Sequence, residues 1–514
     1  MKALSPVARC TYWLTRFVIL RLVGLVYFVA FLTAARQSVP LLGERGLLPI
    51  RQFLARVRQS LGSRKAGFLR WPSLFWWNCS NLTLLTTAWT GVGLSLLVLC
   101  GWANAVVLLA LWLLYMSFVH CGRDWYRYGW EVQLLETGFL TIFLCPLLDA
   151  RPFPARAPPL VIIWLLRWLI FRIMVGAGLI KMRGDPCWRN LTALDYHFET
   201  QPLPNPLSRR FHFLPKPVLR AGVVFNHVAE LVAPWFILGP RQLRRAGGAV
   251  MILFQGTLIL SGNLSFLNWL TIIPAIACVD DKGWAKILPR VLIRRAEAAA
   301  AMARPCPLQQ VVTYAVAGIV LFLSKNPVAN LFSRSQIMNT SFEPLNLVNT
   351  YGAFGSVGRE RLNIVFEGTA GDAFDSSEWK EYVYKGLPVE PTRMPPQVAP
   401  YQLRLDWQMW FAAMSTPYAY PWVFHLVWKL LHSDADTLSL FASNPFPDRP
   451  PRYIRAVLYR YSFDRPGNSD RLWWERERLG LWLPPFCLES PRLISLLRRA
   501  GWLEAEEFLS GPPL

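Results

Sequence analysis

The chain has 514 residues, of which 53% are hydrophobic and 17% are charged. This composition argues against a disordered chain, a collagen-like chain and an ordinary soluble protein. The net charge is +22, and the whole excess lies in the first 324 residues, which carry 34 basic and 12 acidic side chains, whereas residues 325–514 carry 20 of each. Because the basic part is also the apolar part, the pattern favours membrane helices with Arg and Lys at anionic headgroups over nucleic-acid binding.

Apolar stretches long enough to cross a hydrocarbon core recur through the first 324 residues. They are 17–34, 82–101, 103–120, 132–148, 160–182, 221–238, 248–278 as a long or broken pair, and 311–324. We predict five to eight spans, because a segment as short as 311–324 is also compatible with an interfacial or re-entrant position. The first stretch contains Arg21 and exceeds a typical signal core, so we expect a retained signal-anchor.

Basic residues surround the first stretch on both sides, so the positive-inside rule leaves its orientation open. In residues 51–64, Phe53, Leu54, Val57 and Leu61 recur at helical spacing among arginines. This pattern predicts an amphipathic helix that lies in the membrane interface.

The pattern changes after Ser324, where short alternating runs bounded by Gly, Pro, Asn and Asp replace the continuous apolar ones. Residues 361–368 and 379–385 are typical of half-exposed antiparallel strands, and residues 407–414, 422–432 and 491–507 of helices. The predicted fold is therefore a multi-pass α-helical membrane domain at 1–324, followed by a soluble α+β domain with antiparallel strands at 325–514.

Six sequence stretches are too distinctive to follow from membrane composition alone. They are WEVQLLETG at 130–138, RWLIFR at 167–172 running on to GLIK at 178–181, HFETQPLPNP at 197–206, GNLSFLN at 262–268, NTYGAFG at 349–355 and RLDWQMWFAA at 404–413. In this order and at this spacing, they closely resemble the lipase maturation factor family. The resemblance runs from about residue 15 to the end of the chain.

This resemblance implies a multi-pass membrane protein that is needed for the folding, assembly and export of secreted lipases. It also implies a location in the endoplasmic reticulum membrane for a eukaryotic member, with the C-terminal domain on the lumenal side. A bacterial member would lie in the inner membrane, with the C-terminal domain on the extracytoplasmic side and with an unknown client. The expected partners are membrane lipid and a client lipase, with no nucleic acid.

Ionisable side chains inside the apolar stretches cost roughly 2.5–3.5 kcal/mol each to insert, so each needs a partner or an aqueous cavity. The group comprises Glu136, Arg167, Arg172, His227 and Glu230. Asn226 and His227 precede Glu230 by four and three residues, which places all three on one helical face. Two interpretations stay open: a polar site enclosed by helices, and ion pairs between helices that only fix packing.

A fainter similarity links residues 178–188 to the lysine-containing segment of vitamin-K-dependent carboxylases. It supplies an alternative function, an intramembrane enzyme with Lys181 as a base that is assisted by His197, Glu136 and Glu230. A lysine at the end of an apolar helix is also expected simply to extend toward the headgroups. The chain has no C-x-x-C, H-E-x-x-H or G-x-S-x-G motif, so we predict no metal, no cofactor and no direct lipase activity.

The leading prediction is a non-enzymatic factor that binds its client through the C-terminal domain. The candidate partner-binding residues come from the two most distinctive motifs of that domain: Asn349, Tyr351, Gly352, Arg404, Asp406, Trp407 and Trp410. Exposed Trp and Arg side chains are frequent anchors in protein interfaces. Trp407 and Trp410 are three residues apart, so the competing interpretation is that they pack the core of the domain.

Overall fold

The computed structural model describes residues 11–371, 378–467 and 472–503. Up to residue 332 the described elements are helices, and short 3₁₀ turns lie between several of them. They are α1 (Trp13–Leu42), α2 (Ile50–Leu61), α3 (Arg64–Arg70), α4 (Asn81–Cys100), α5 (Ala105–Cys121), α6 (Gly129–Ile142), α7 (Leu160–Arg183), α8 (Pro186–Arg189), α9 (Leu194–Thr200), α10 (Ser208–His212), α11 (Lys216–His227), α12 (Arg241–Ser261), α13 (Leu267–Ile276), α14 (Asp281–Trp284), α15 (Arg290–Ala301), α16 (Pro307–Leu323) and α17 (Lys325–Phe332). After α11 the chain stays helical through a π turn at Val228–Val232 and a 3₁₀ segment at Ala233–Leu238.

Six helical segments in the described residues are long and apolar enough to cross a membrane. They are Trp13–Leu42, Asn81–Cys100, Leu160–Arg183, Lys216–Leu238, Arg241–Ser261 and Pro307–Phe332. Their number lies within the predicted five to eight, and the multi-pass helical architecture is confirmed. Two of the predicted stretches form the shorter helices α5 and α6. Residues 248–278 form parts of two helices, α12 and α13, so the broken-pair interpretation is the correct one.

Close packing of α1 against α4 depends on small residues at their contact. A Cβ on Gly24 would lie 2.6 Å from the backbone nitrogen of Leu99, and a Cβ on Gly91 would overlap the ring of Phe31. Lipid tails are as apolar as leucine, so membrane helices associate mainly through such intimate packing. These two glycines therefore help to fix the first span against the second.

The predicted amphipathic helix is α2. Leu54 and Val57 are buried, and Arg51, Arg56 and Arg58 are exposed. The helix itself is thus confirmed, and its position in a lipid interface stays a prediction.

The last part of the chain is an α+β unit, as predicted. Its elements are β1 (Arg361–Thr369), β2 (Lys380–Glu381), β3 (Val383–Tyr384), α18 (Arg404–Ala413), α19 (Trp422–Leu431), α20 (Ala435–Leu438), β4 (Phe441–Ser443), β5 (Tyr453–Phe463), β6 (Trp474–Phe486) and α21 (Pro491–Ala500). In the described residues, one antiparallel sheet has the order β2-β1-β5-β6, and β3 pairs separately with β4. The predicted strand at 379–385 is divided between β2 and β3, and residues 504–507 of the predicted last helix lie outside the described residues.

The helical part and the C-terminal part share one continuous hydrophobic core. At their contact, the ring of Trp407 in α18 lies 4.9 Å from the ring of Trp130 and 5.7 Å from the ring of Tyr128, centroid to centroid. The domain boundary near residue 324 stays a prediction, since α17 follows α16 after a single residue, Ser324.

Candidate functional site

The carboxylate of Glu136, on α6, joins this helix and α7 to the NTYGAFG motif. Glu136 forms an ion pair with Arg172 of α7, and both side chains are almost fully buried. Its Oε2 atom accepts hydrogen bonds from the backbone nitrogen of Asn349 at 2.9 Å, from the Asn349 side chain at 3.1 Å and from the Tyr351 hydroxyl at 2.7 Å. Arg172 also donates to the Asn349 carbonyl at 2.7 Å. Burial raises the pKa of Tyr351 well above its usual value, so its hydroxyl remains a donor.

A second buried carboxylate, Glu131, lies nearly one and a half turns earlier on α6 and binds the RLDWQMWFAA motif. It accepts hydrogen bonds from Tyr115 and from the Trp130 indole, and it forms an ion pair with Arg404 of α18. The Arg404 guanidinium lies 3.5 Å from the ring centroid of Tyr126, in a cation–π contact. Both acidic residues of the WEVQLLETG motif therefore bind basic or polar groups on other elements.

The NTYGAFG segment lies directly against α7 because Gly176 in that helix and Gly184 just after its end leave room for it. A Cβ on Gly176 would lie 2.5 Å from the Tyr351 carbonyl oxygen, and a Cβ on Gly184 would lie 2.1 Å from that of Gly355. Just beyond α7, the Asp185 backbone nitrogen donates to the Gly355 carbonyl at 2.8 Å. Small residues on a membrane helix thus accommodate an irregular segment of the following domain.

Two further motifs make contacts of the same kind, through residues for which we predicted no role from the sequence. Arg361, the first residue of β1, donates to the carbonyls of Glu199, Gln201 and Pro202 in the HFETQPLPNP motif. In the GNLSFLN motif, the Asn263 side chain accepts from two backbone nitrogens and donates to a backbone carbonyl in residues 396–399. Asn263 could have been indicated only by its membership of an unusual motif, and Arg361 belongs to none of the six motifs and carried no signal for this contact.

Lys181 points into the protein and not toward a headgroup region. Its ammonium group lies 2.5 Å from the Glu230 carboxylate and 3.1 Å from Asn226, and Asn226 in turn donates to Glu230 at 3.0 Å. Glu230 lies in the π turn, which α7 approaches closely because Gly178 has no side chain. Asn226 and Glu230 therefore lie on one helical face, as predicted. The third residue predicted on this face, His227, donates a hydrogen bond to the Trp188 carbonyl at 3.1 Å.

Next to Lys181, Asn226 and Glu230 is a cavity of about 730 Å³. It is bounded by α7, α9, α11, α12, α13, the NTYGAFG segment and α18. Most of its wall is apolar, as is typical of sites for small organic ligands. Its polar lining includes Lys181, Glu230, Asn226, His197, Gln133 and Asn268. Of the four residues in the catalytic alternative, three line this cavity. Glu136 does not, and its carboxylate is occupied by Arg172, Asn349 and Tyr351.

His197, on α9, is the histidine of this lining, and it is 6% exposed. Burial, reinforced by the positive charge of Lys181, lowers the pKa of His197 to about 4. The ring is therefore neutral at physiological pH, with one nitrogen able to donate a hydrogen bond and the other able to accept one. Among the described residues, neither nitrogen has a hydrogen-bond partner.

The other candidate partner-binding residues are largely internal. Burial raises the pKa of Asp406 to about 6, although its carboxylate accepts hydrogen bonds from the backbone nitrogens of Gly386 and Leu387. Gly352, Trp407 and Trp410 line the cavity. Gly352 lies beside Met338, Trp407 is buried and Trp410 is half-buried. Direct contact between a client and the buried members would require the two parts of the chain to separate. Their role in client binding stays a prediction.

Comparison with known proteins gives the family directly. A family model described as the lipase maturation factor transmembrane domain matches residues 14–286, and one described as the lipase maturation factor C-terminal domain matches residues 347–484. The chain belongs to the lipase maturation factor family. The family predicted from the six motifs is therefore confirmed.

Individual members of the family align over nearly the whole chain. Lipase maturation factor 1 of Bos taurus is 46% identical, with 94% of this chain and 90% of the relative covered. The Homo sapiens protein of the same name is 45% identical, with 96% and 91% covered. Lipase maturation factor 2 of Mus musculus is 30% identical, with 93% and 84% covered. No solved structure matches the chain.

Proposed function

We propose that this protein is a maturation factor for a secreted lipase and that it acts by binding the partly folded client. The observation that carries the proposal is the 46% identity, over nearly the full length of both chains, to a protein named lipase maturation factor 1. A protein that binds one folding state of a client better than others shifts the client toward that state. We place the protein in the endoplasmic reticulum membrane, the location that the family resemblance implies for a eukaryotic member.

The surroundings of Lys181 do not favour the enzymatic alternative. A lysine that acts as a general base must be available as a neutral amine. The nitrogen of Lys181 is instead occupied by a buried ion pair with the carboxylate of Glu230 and by a hydrogen bond to Asn226. Binding of the client, without chemistry, is therefore the mechanism that we propose.

Within this proposal, the distinctive motifs hold the C-terminal unit rigidly on the helices, and a different surface contacts the client. The strongest candidate surface is β6, which has 13 residues and lies at the edge of the four-stranded sheet. In the described residues, no strand pairs with its outer side. Leu479 and Leu481 on this strand are 40% and 52% exposed. An exposed edge with apolar side chains can accept an added strand from a partner, and partly folded chains offer such strands.

Coexpression of a secreted lipase in cells that lack their own maturation factor tests the proposal. The full-length chain should raise the amount of active lipase in the medium. Leu481→Lys should lower that gain, because an added charge interrupts strand pairing and apolar contact. Met394→Lys is the matched control, since Met394 is 48% exposed and lies outside the sheet. A chain that reaches its usual level in the membrane and leaves lipase secretion unchanged would contradict the proposal.

A further inference from the structure

The cavity beside Lys181 combines a mostly apolar wall with a compact polar group whose charges balance. The ammonium of Lys181 and the carboxylate of Glu230 neutralise each other, and burial keeps the His197 ring uncharged. A cationic or anionic group that entered would be attracted by one charge of the pair and repelled by the other, and it would lose its hydration. The site is therefore suited to an uncharged ligand.

The polar group can also offer both kinds of hydrogen bond. Lys181 has three donor hydrogens and directs bonds to Asn226 and Glu230, which leaves one. Each carboxylate oxygen of Glu230 accepts one of these local bonds and has a further lone pair. His197 adds one donor and one acceptor that have no partner in the described residues. A hydroxyl group both donates and accepts, so it matches this set better than an acceptor-only carboxylate or a donor-only ammonium.

The size and position of the cavity indicate the rest of the ligand. Its volume of about 730 Å³ lies within the range of sites for small organic ligands, and its lining includes Phe225, Phe254 and Met174. Val218 also lines it, and this residue is 49% exposed on the helical segment Lys216–Leu238, which is long and apolar enough to span a membrane. The cavity thus reaches the outer surface of a candidate span, where lipid chains are the neighbouring molecules.

We propose that this cavity binds an uncharged lipid with one or more hydroxyl groups in its head and an acyl chain in its tail. The head lies against Lys181, Glu230 and His197, and the chain extends along the apolar wall between α7, α11 and α12. This binding site is distinct from the contact with a client lipase, and its occupancy can be measured without any client.

Photolabelling of the full-length protein in phosphatidylcholine vesicles tests the proposal. Three probes carry the same diazirine-bearing chain and differ only in the head, which is a glyceryl ether, a sulfonate or a trimethylammonium group. We expect the glyceryl probe to label peptides from residues 214–230 and 254–268, and an excess of unlabelled monoacylglycerol to compete. The two charged probes should label these peptides about tenfold less, the factor that corresponds to about one hydrogen bond.

Thr257 on α12 lines the cavity. Leu253, one turn earlier on the same helix, does not line it and is 63% exposed. Thr257→Trp should fill the chain-binding region and abolish most of the labelling, whereas Leu253→Trp should label like the wild type. Equal labelling of the two variants, equal labelling by a charged probe, or no labelling above that of the heat-denatured protein would overturn the proposal. Gly222→Leu is a second filling variant, and the three-probe comparison on the wild type decides the question even where neither variant folds.

Discussion

The Arg404 guanidinium lies 2.9 Å from the Glu131 carboxylate, and neither side chain has any solvent exposure. This ion pair joins α18 of the C-terminal unit to α6 of the helical part. Removing one member of a buried pair leaves the other charge without compensation, which costs more than the intact pair contributes. The contact therefore makes the two parts of the chain depend on each other for stability.

Arg404→Met should destabilise the protein by about 3–5 kcal/mol, because Glu131 would stay buried without its partner. The measurement is the amount of folded protein in membranes, together with the melting temperature in detergent. Glu131→Gln combined with Arg404→Met should recover part of the loss. Glu477→Gln is the control, since its ion pair with Arg460 is exposed and should contribute at most about 1 kcal/mol. Equal effects of Arg404→Met and Glu477→Gln would contradict this account.

Tyr351→Phe should lower stability by about 1.5–3 kcal/mol, the usual contribution of a hydrogen bond to a charged group. The hydroxyl that is lost donates to Glu136 at 2.7 Å. Gly184→Val should have a larger effect, since even a Cβ at this position would lie 2.1 Å from the Gly355 carbonyl oxygen. Release of the NTYGAFG segment should increase cleavage after residue 349 in limited proteolysis. An unchanged cleavage pattern in Gly184→Val would argue against the packing of this segment on α7.

The stability of the protein should fall on acidification through the titration of His197. The unfolded ring has a pKa of about 6.5, and the folded ring has a pKa of about 4. Between these values the unfolded state binds the extra proton. The contribution of His197 to the free energy of unfolding is therefore fully present above about pH 6.5 and is lost as the pH falls toward about 4, by at most about 1.4 kcal/mol per pH unit. The difference in melting temperature between the wild type and His197→Gln should therefore narrow from pH 8 to pH 5. A constant difference would show that the ring is not held neutral.

The sequence was sufficient for the family, the helical spans and the existence of the first strand, because long apolar runs and the alternation in residues 361–368 are strong local signals. The expectation that this strand is half-exposed is wrong, because β1 lies between β2 and β5 and is almost entirely buried. It did not identify β6, whose sequence contains alternating charges, Gly480 and two prolines. Residues of this kind are unfavourable in a central strand and are tolerated in an edge strand, and which strand is the edge depends on the tertiary fold.

The candidate site was only partly predictable for a similar reason. Ionisable residues inside apolar stretches had to have partners, and Glu136 does form an ion pair with Arg172 of a neighbouring helix. The sequence could not indicate that these partners would include Asn349 and Tyr351, more than 200 residues away from Glu136. The motifs were recognisable because they are unusual, and only the fold shows that their side chains lie at contacts between the two parts of the chain.

Trp407→Ala should reduce the amount of protein and the recovered lipase activity in parallel. The side chain is 4% exposed and packs against Trp130, so its loss should cost about 3–5 kcal/mol. Activity per molecule, obtained by dividing secreted lipase activity by the level of membrane protein, should then stay close to that of the wild type. A normal protein level with lost activity would instead support Trp407 as part of a recognition surface.

The most direct test of the account is site-specific photo-crosslinking of the full-length protein to a newly made lipase in intact cells. A photoreactive amino acid replaces Leu481 on β6, and in a matched variant it replaces Tyr314, which is 65% exposed on the candidate span Pro307–Phe332. The account predicts a crosslinked complex with the lipase from position 481, present before the lipase reaches its active form and lost afterwards. Absence of this complex, with both variants at their usual level and lipase maturation intact, would contradict client binding through the C-terminal unit.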